Sequence, residues 1–157
     1  PEHWAKHFIK TRSLQKETRG FTEFVGLPFV HMASPIYLRK GARRGPTFRE
    51  TLLVHAVARI AYHGYIENIQ ASWVKIGLEG MSQMLQAGVN DVGGTLNGEN
   101  ISRAAGARHG QAVDIRDLDL LCQPLKRTLR QRTTLYEIID DSDKNLVHRK
   151  KIPVVAE

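Results

Sequence analysis

The densest group of chemically capable residues lies in VNDVGGTLNGENISRAAG, residues 89–106. Asn90 and Asp91 run into the pair Gly93 and Gly94, and Thr95, Glu99, Asn100, Ser102 and Arg103 follow. Adjacent glycines permit a tight turn and close backbone approach. With bare amides and an arginine beside it, such a turn suits an anionic or ribose-like ligand. It is neither a dinucleotide fingerprint nor a nucleotide phosphate loop, because the GxGxxG and GxxxxGKS/T spacings are absent. His109, in RHGQ, has a weaker claim of the same kind.

Four further positions carry polar groups inside or at the end of apolar runs. Glu23 interrupts an apolar run, where a carboxylate is costly unless paired. It reads either as one half of a salt bridge or as a contact to substrate or adenosine. His31 follows the end of that run and can donate a proton, or simply pack. Gln70 and Ser72 alternate along a second run, which places an amide and a hydroxyl on one strand face. Trp73 reads as packing core, and Lys75 as a surface cation or a group at the mouth of a site. The candidate ligand contacts are therefore Glu23, His31, Gln70, Ser72, Asn90, Asp91, Gly94, Thr95, Glu99 and Arg103. None of them stands out as a catalytic acid, base or nucleophile.

Several chemistries are excluded by residue type. Cys122 is the single cysteine in 157 residues, so this chain alone holds no disulfide and no multi-cysteine zinc or iron–sulfur site. The HExxH and GxSxG patterns are absent, and of the scattered histidines only His3 and His7 share a helical spacing. No metal ligands are expected. Lone-cysteine usage fits a reducing, cytoplasmic compartment. No apolar run approaches the roughly 18 residues that span a bilayer, so no membrane association is expected. The net charge of +7 steers anions in general. The basic run Arg39, Lys40, Arg43, Arg44 has no aromatic residue inside it for base stacking, so no nucleic-acid partner is expected.

The elements that must position these groups alternate. A helix is expected over 3–18, with Trp4, Phe8 and Leu14 as its stripe and Gly20 as its stop. Residues 22–31 read as a strand that is apolar on both faces, the pattern of a parallel sheet covered by helices, with Pro28 marking a strand end or bulge. A loop over 32–46 leads to a helix that begins at Thr47, where Glu50 completes a capping box, and runs to Gly64. A second strand is expected over 67–76, a helix over 78–87 closed by Gly88, a short strand over 89–93 and a helix over 114–122. Strand-to-helix connections are long and carry the unusual residues, as in a β/α repeat whose active edge lies at the strand carboxyl ends. The fold class is α/β. About three parallel strands cannot close a barrel, so the chain reads as the later part of a (β/α) TIM-type barrel. The expected organisation is a partial barrel over 1–111, a helical C-terminal extension over 112–136 and a loose tail over 137–157.

The stretches GFTEFVGLPFVH, SPIYL, ARRGPTFRETLLVHAVAR, NIQASWVKIG, LQAGVNDVGGTL, ISRAAGARHGQ and RQRTTLY resemble the C-terminal half of the tyrosine-using radical S-adenosylmethionine subunit or domain of FO synthase. More distantly they resemble the related menaquinone-pathway radical enzymes. The resemblance covers roughly residues 4–136. It implies a (β/α) barrel whose 4Fe–4S cluster, held by a C-x-x-x-C-x-x-C motif, cleaves S-adenosylmethionine to a 5′-deoxyadenosyl radical. It further implies that tyrosine is fragmented at Cα–Cβ and that its 4-hydroxybenzyl group is joined to 5-amino-6-(D-ribitylamino)uracil. A partner radical enzyme then closes the deazaflavin ring.

The cluster motif is absent from this sequence. The resemblance therefore implies one wall of such a transferase, needing a complementary N-terminal barrel half. The chain alone is expected to bind neither cluster nor S-adenosylmethionine and not to be active. The alternative is a non-catalytic barrel fragment serving as a binding or assembly module. The chain also departs from the family at Ala33, where Glu is usual, and at Asn97 to Asn100, where the family usually reads Met-Asn-Glu-Ser after Gly-Gly-Thr-Leu.

Overall fold

The computed structural model describes residues 1–96, 98, 100–109 and 112–139. Helix α1 (Glu2–Thr18) opens with Glu2 paired to Lys6 one turn on, at 2.7 Å. It ends one residue before the expected stop: Arg19 takes the left-handed conformation (φ 51°) and its amide returns to the Gln15 carbonyl. Gln15 is buried. Its side chain accepts from the Phe21 amide and donates to the Phe21 and Tyr65 carbonyls, stitching the helix end to the strand that follows.

That strand, β1 (Glu23–Val25), is much shorter than the apolar run suggested. Gly26 lies so close to α3 (Phe48–Ala61) that a Cβ there would stand 2.9 Å from the His55 ring, and Pro28 has no amide to offer a ladder. The chain therefore leaves the sheet after Val25. A one-turn helix, α2 (Pro35–Leu38), interrupts the loop that follows. Helix α3 starts as its sequence dictates: the Thr47 hydroxyl accepts from the Glu50 amide at 3.2 Å, and the Glu50 carboxylate accepts from the Thr47 amide at 2.7 Å. The same bonds lower the Glu50 pKa below the ordinary carboxylate range.

Strand β2 (Asn68–Gln70) pairs in parallel with β1, in the register Glu23–Asn68, Phe24–Ile69 and Val25–Gln70. It too is short, because Trp73 already belongs to α4 (Trp73–Gln86). Both Trp73 and Val74 are buried in that helix's first turn, which imitates the apolar pattern of a strand continuing to residue 76. Helix α4 breaks once, at Gly77 (φ 74°, ψ 171°). The third expected strand contracts to a single parallel bridge, Gln70 to Asp91, supported by the Asn90 and Asp91 amides donating to the Ile69 carbonyl. No barrel closure is present among the described residues.

Helices α5 (Ile101–Ala104) and α6 (Ile115–Cys122) follow, the latter capped by Asp114, whose carboxylate accepts from the Arg116 amide. A 3-10 turn over Gln123–Leu125 leads to an antiparallel hairpin that the sequence pattern did not suggest, β3 (Gln131–Arg132) with β4 (Ile138–Ile139). The tail expected from residue 137 lies, from residue 140 on, outside the described residues. No described helix is long and apolar enough to cross a membrane.

The core lies on one side of the sheet. Phe24 meets Phe8, Tyr62 and His55 with ring centroids 5.2–6.2 Å apart, and Ile69 is fully buried. Because side chains alternate along a strand, Glu23, Val25, Asn68 and Gln70 must face the other way, off the helices.

Candidate functional site

On that second face the chain gathers five polar side chains from four separate segments. Glu23 comes from β1, Gln70 from the carboxyl end of β2, Asp91 from the bridge, and Arg132 and Tyr136 from the hairpin. The Gln70 Nε2 donates to Glu23 Oε2 at 3.1 Å, and the Tyr136 hydroxyl donates to the same oxygen. Arg132 donates from Nε (2.7 Å) and Nη2 (2.6 Å) to Asp91 Oδ2, and its Nη2 stands 3.8 Å from Glu23 Oε2. Its guanidinium carbon lies 3.9 Å from the centre of the Tyr136 ring, within cation–π range. Asp91 Oδ1 accepts from the Gly93 amide at 2.7 Å.

The electrostatics follow from burial. The Asp91 side chain is 8% exposed, whereas those of Arg132 and Glu23 are 26% and 36% exposed. A carboxylate so enclosed needs the charge and hydrogen bonds that Arg132 and Gly93 supply. Burial, the bond to Glu23 and the charge of Asp91 all raise the Tyr136 pKa far above the ordinary phenol value. The phenol therefore stays protonated and acts as a donor.

The glycine turn works differently from its appearance in the sequence. Left-handed backbone occurs at Gly93 (φ 72°), not at Gly94. A Cβ on Gly93 would lie 3.6 Å from the Gln70 side-chain oxygen, whereas one on Gly94 would meet nothing within 4 Å. Gly94 contributes its carbonyl, which accepts from the Trp73 indole at 2.9 Å.

The other sequence candidates lie apart from this cluster. Asn90 points toward the helices, where its Oδ1 accepts from Arg59 (2.6 Å) and from the Ile69 amide (2.8 Å). Ser72 caps α4 by position, with no side-chain capping bond. His31 Nδ1 faces the Gly45 amide at 3.3 Å, and its ring meets Tyr37 edge-on. The Thr95 carbonyl accepts from the Val113 amide. Arg103 sits on α5, and Glu99 lies outside the described residues. Lys75 donates to the Ser102 hydroxyl at 2.8 Å. With His109 it borders a separate cleft beside the Gly77 break.

Arg132 and Tyr136 are the members that residue-type reasoning missed. Their signal was the stretch RQRTTLY, which stood out only through its resemblance and carried no assigned role.

An iron–sulfur cluster does not fit these residues. Cys122 is the only thiol, it is buried, and its pKa is raised by burial and by Asp119. Among the described residues no three His, Cys, Asp or Glu side chains group to hold a metal ion.

The family described as the CofH/MqnC C-terminal region matches residues 18–140. An FO synthase of Nocardia farcinica is 51% identical over 140 residues, covering 89% of this chain and 16% of that protein. The Mycobacterium leprae FO synthase is 51% identical over 138 residues, with 88% and 16% covered. A 5-amino-6-(D-ribitylamino)uracil–L-tyrosine 4-hydroxyphenyl transferase of Methanopyrus kandleri is 49% identical over 137 residues, with 87% and 37% covered. The chain thus spans about a sixth of the first two relatives and just over a third of the last.

Proposed function

We propose a function for this chain from the fact that it belongs to the CofH/MqnC C-terminal region family. It forms the later part of a (β/α) barrel and supplies a substrate-facing wall to a radical S-adenosylmethionine transferase. That enzyme joins the 4-hydroxybenzyl group of tyrosine to 5-amino-6-(D-ribitylamino)uracil. The observation that carries this reading is the polar cluster Glu23–Gln70–Asp91–Arg132–Tyr136 on the sheet face opposite the Phe24–Ile69 core, where no described helix packs. In a β/α barrel the helices pack outside, so the uncovered face is the interior, and ligands meet side chains at the carboxyl ends of strands. Gln70 and Asp91 occupy that end.

The complementary N-terminal half brings the 4Fe–4S cluster and S-adenosylmethionine. A partner radical enzyme completes the deazaflavin. This chain's part is to bind and orient the acceptor substrate and to exclude water from the radical. The single parallel pair has β1 at an edge, which the complementary half would cover.

The test is a chimera in which residues 18–140 replace the corresponding segment of the Nocardia farcinica relative. Gln70→Ala and Asp91→Ala should each reduce adduct formation while 5′-deoxyadenosine production persists. Wild-type adduct yield and ribitylaminouracil affinity in both variants would refute the assignment.

A further inference from the structure

The hairpin that carries RQRTTLY brings Arg132 and Tyr136 to the cluster, and the part that Tyr136 plays there is not given by the reading above. Tyr136 has a left-handed backbone (φ 67°), uncommon for a residue with a Cβ. Its ring lies against the Arg132 guanidinium, and its hydroxyl is bonded to Glu23. We propose that Tyr136 is a positioning residue, which pins one oxygen of Glu23 so that the other oxygen and the Gln70 carbonyl form a directed acceptor pair for a ligand rich in O–H and N–H groups. The ligand's identity rests on the function proposed above. The fastening of Glu23 does not.

Hydrogen-bond accounting selects the ligand class. Glu23 Oε2 already accepts from Tyr136 and Gln70. Each Arg132 nitrogen is engaged, Nε and Nη2 with Asp91 and Nη1 with the Thr133 carbonyl at 3.0 Å, which uses three of its five N–H donors. Both Asp91 oxygens are engaged, by Arg132 and by the Gly93 amide. Within the cluster, the carboxylate and amide oxygens with no described partner are Glu23 Oε1 and Gln70 Oε1. Two carboxylates against one guanidinium repel an anion. The wall therefore fits a polyol chain or an amino-substituted ring edge, and it disfavours phosphate or carboxylate groups. Tyr136 stays a donor because its phenol is held protonated, so Oε2 remains occupied and Oε1 keeps its direction.

Tyr136→Phe keeps the ring against Arg132 and deletes only the hydroxyl. In the chimera it should raise the KM for ribitylaminouracil about tenfold, the size of one lost bond to a charged group, with kcat and 5′-deoxyadenosine yield unchanged. Glu23→Gln should also raise KM, and the double variant should be little worse than either single one, because both changes break one contact. An unchanged KM, additive effects on KM, or a matching fall in 5′-deoxyadenosine overturns the proposal. The same three variants in this chain, unfolded with urea, read the fastening without any substrate. Non-additive midpoints support it, and additive ones overturn it even in an active chimera. A chimera that makes no adduct with Tyr136 intact overturns the function proposed above, while non-additive midpoints still uphold the fastening.

Discussion

Removing Arg132 should cost this chain more than any other single change on the uncovered sheet face. Arg132→Ala leaves Asp91 enclosed, its side chain 8% exposed, with the Gly93 amide as its remaining partner. Two limits bracket the cost. Breaking a fully buried ion pair by deleting one partner costs roughly 3–5 kcal/mol, and an exposed pair is worth at most about 1 kcal/mol. The Arg132 side chain is 26% exposed, so water reaches part of the cavity it would leave and screens the stranded charge. The expected loss is about 2–3 kcal/mol, including roughly 0.5–1 kcal/mol for the lost contact with the Tyr136 ring. With an m-value of about 2 kcal/mol/M, the urea midpoint should fall by about 1 M or more. Tryptophan fluorescence is the natural readout, since the Trp73 indole is bonded to the Gly94 carbonyl three residues beyond Asp91. Asp91→Asn removes the stranded charge, so Arg132→Ala should cost at least about 1 kcal/mol less in that background. A loss below about 0.5 kcal/mol, or full additivity with Asp91→Asn, would show that the pair is effectively a surface pair and that the cluster is not a formed site.

Three other expectations follow from the geometry. Gly93→Val should lower stability by about 1–2 kcal/mol, because a β-branched residue resists φ 72°, whereas Gly94→Val should be nearly silent in unfolding of this chain. His55 is buried, and burial lowers its pKa, against the opposing bond of its Nδ1 to the Thr51 carbonyl at 2.8 Å. Unfolding therefore takes up a proton below the ordinary value of 6.5, so the stability His55 contributes is complete above that pH and is lost as pH falls. His55→Gln should flatten the difference in urea midpoint between about pH 7.5 and pH 5, and an unchanged difference would show that another group sets the acid limb. Anaerobic reconstitution of this chain should yield no stoichiometric 4Fe–4S cluster, and iron bound at cluster stoichiometry within one chain would contradict the donor count.

Helices were legible because their signals are local. The Thr47–Glu50 capping box and the stripe of Trp4 and Phe8 each act within one or two turns, and the structure has helices at both. Strand lengths were not legible, because apolar character on both faces fits a buried strand and an entering helix alike. Trp73 and Val74 extended the second strand on paper, yet they bury themselves in the first turn of α4. The hairpin left no trace at all. Its strands are two residues each, too short for alternation to register, and its left-handed turn residue is Tyr136 where a glycine or asparagine would have announced it.

The site divides along the same line. Glu23 and Gln70 were conspicuous as polar residues where the surrounding pattern is apolar, and Asp91 by its place before the glycine pair Gly93 and Gly94. The groups that complete them lie 41 residues beyond Asp91 and 113 beyond Glu23, a separation no spacing rule spans. In the proposed reading this face is the interior of a partial barrel, left exposed until the complementary half covers it. A face lined by two carboxylates would repel itself and leave a half-buried charge uncompensated. Here the chain's own hairpin supplies the guanidinium that pairs with Asp91 and the phenol that bonds to Glu23. In the proposed assembly the complementary half therefore meets a wall whose buried carboxylate is already paired and whose two remaining acceptor oxygens are held in place. The ordering cost that a substrate would otherwise bear on binding is borne within this chain, by contacts between segments that are distant in sequence.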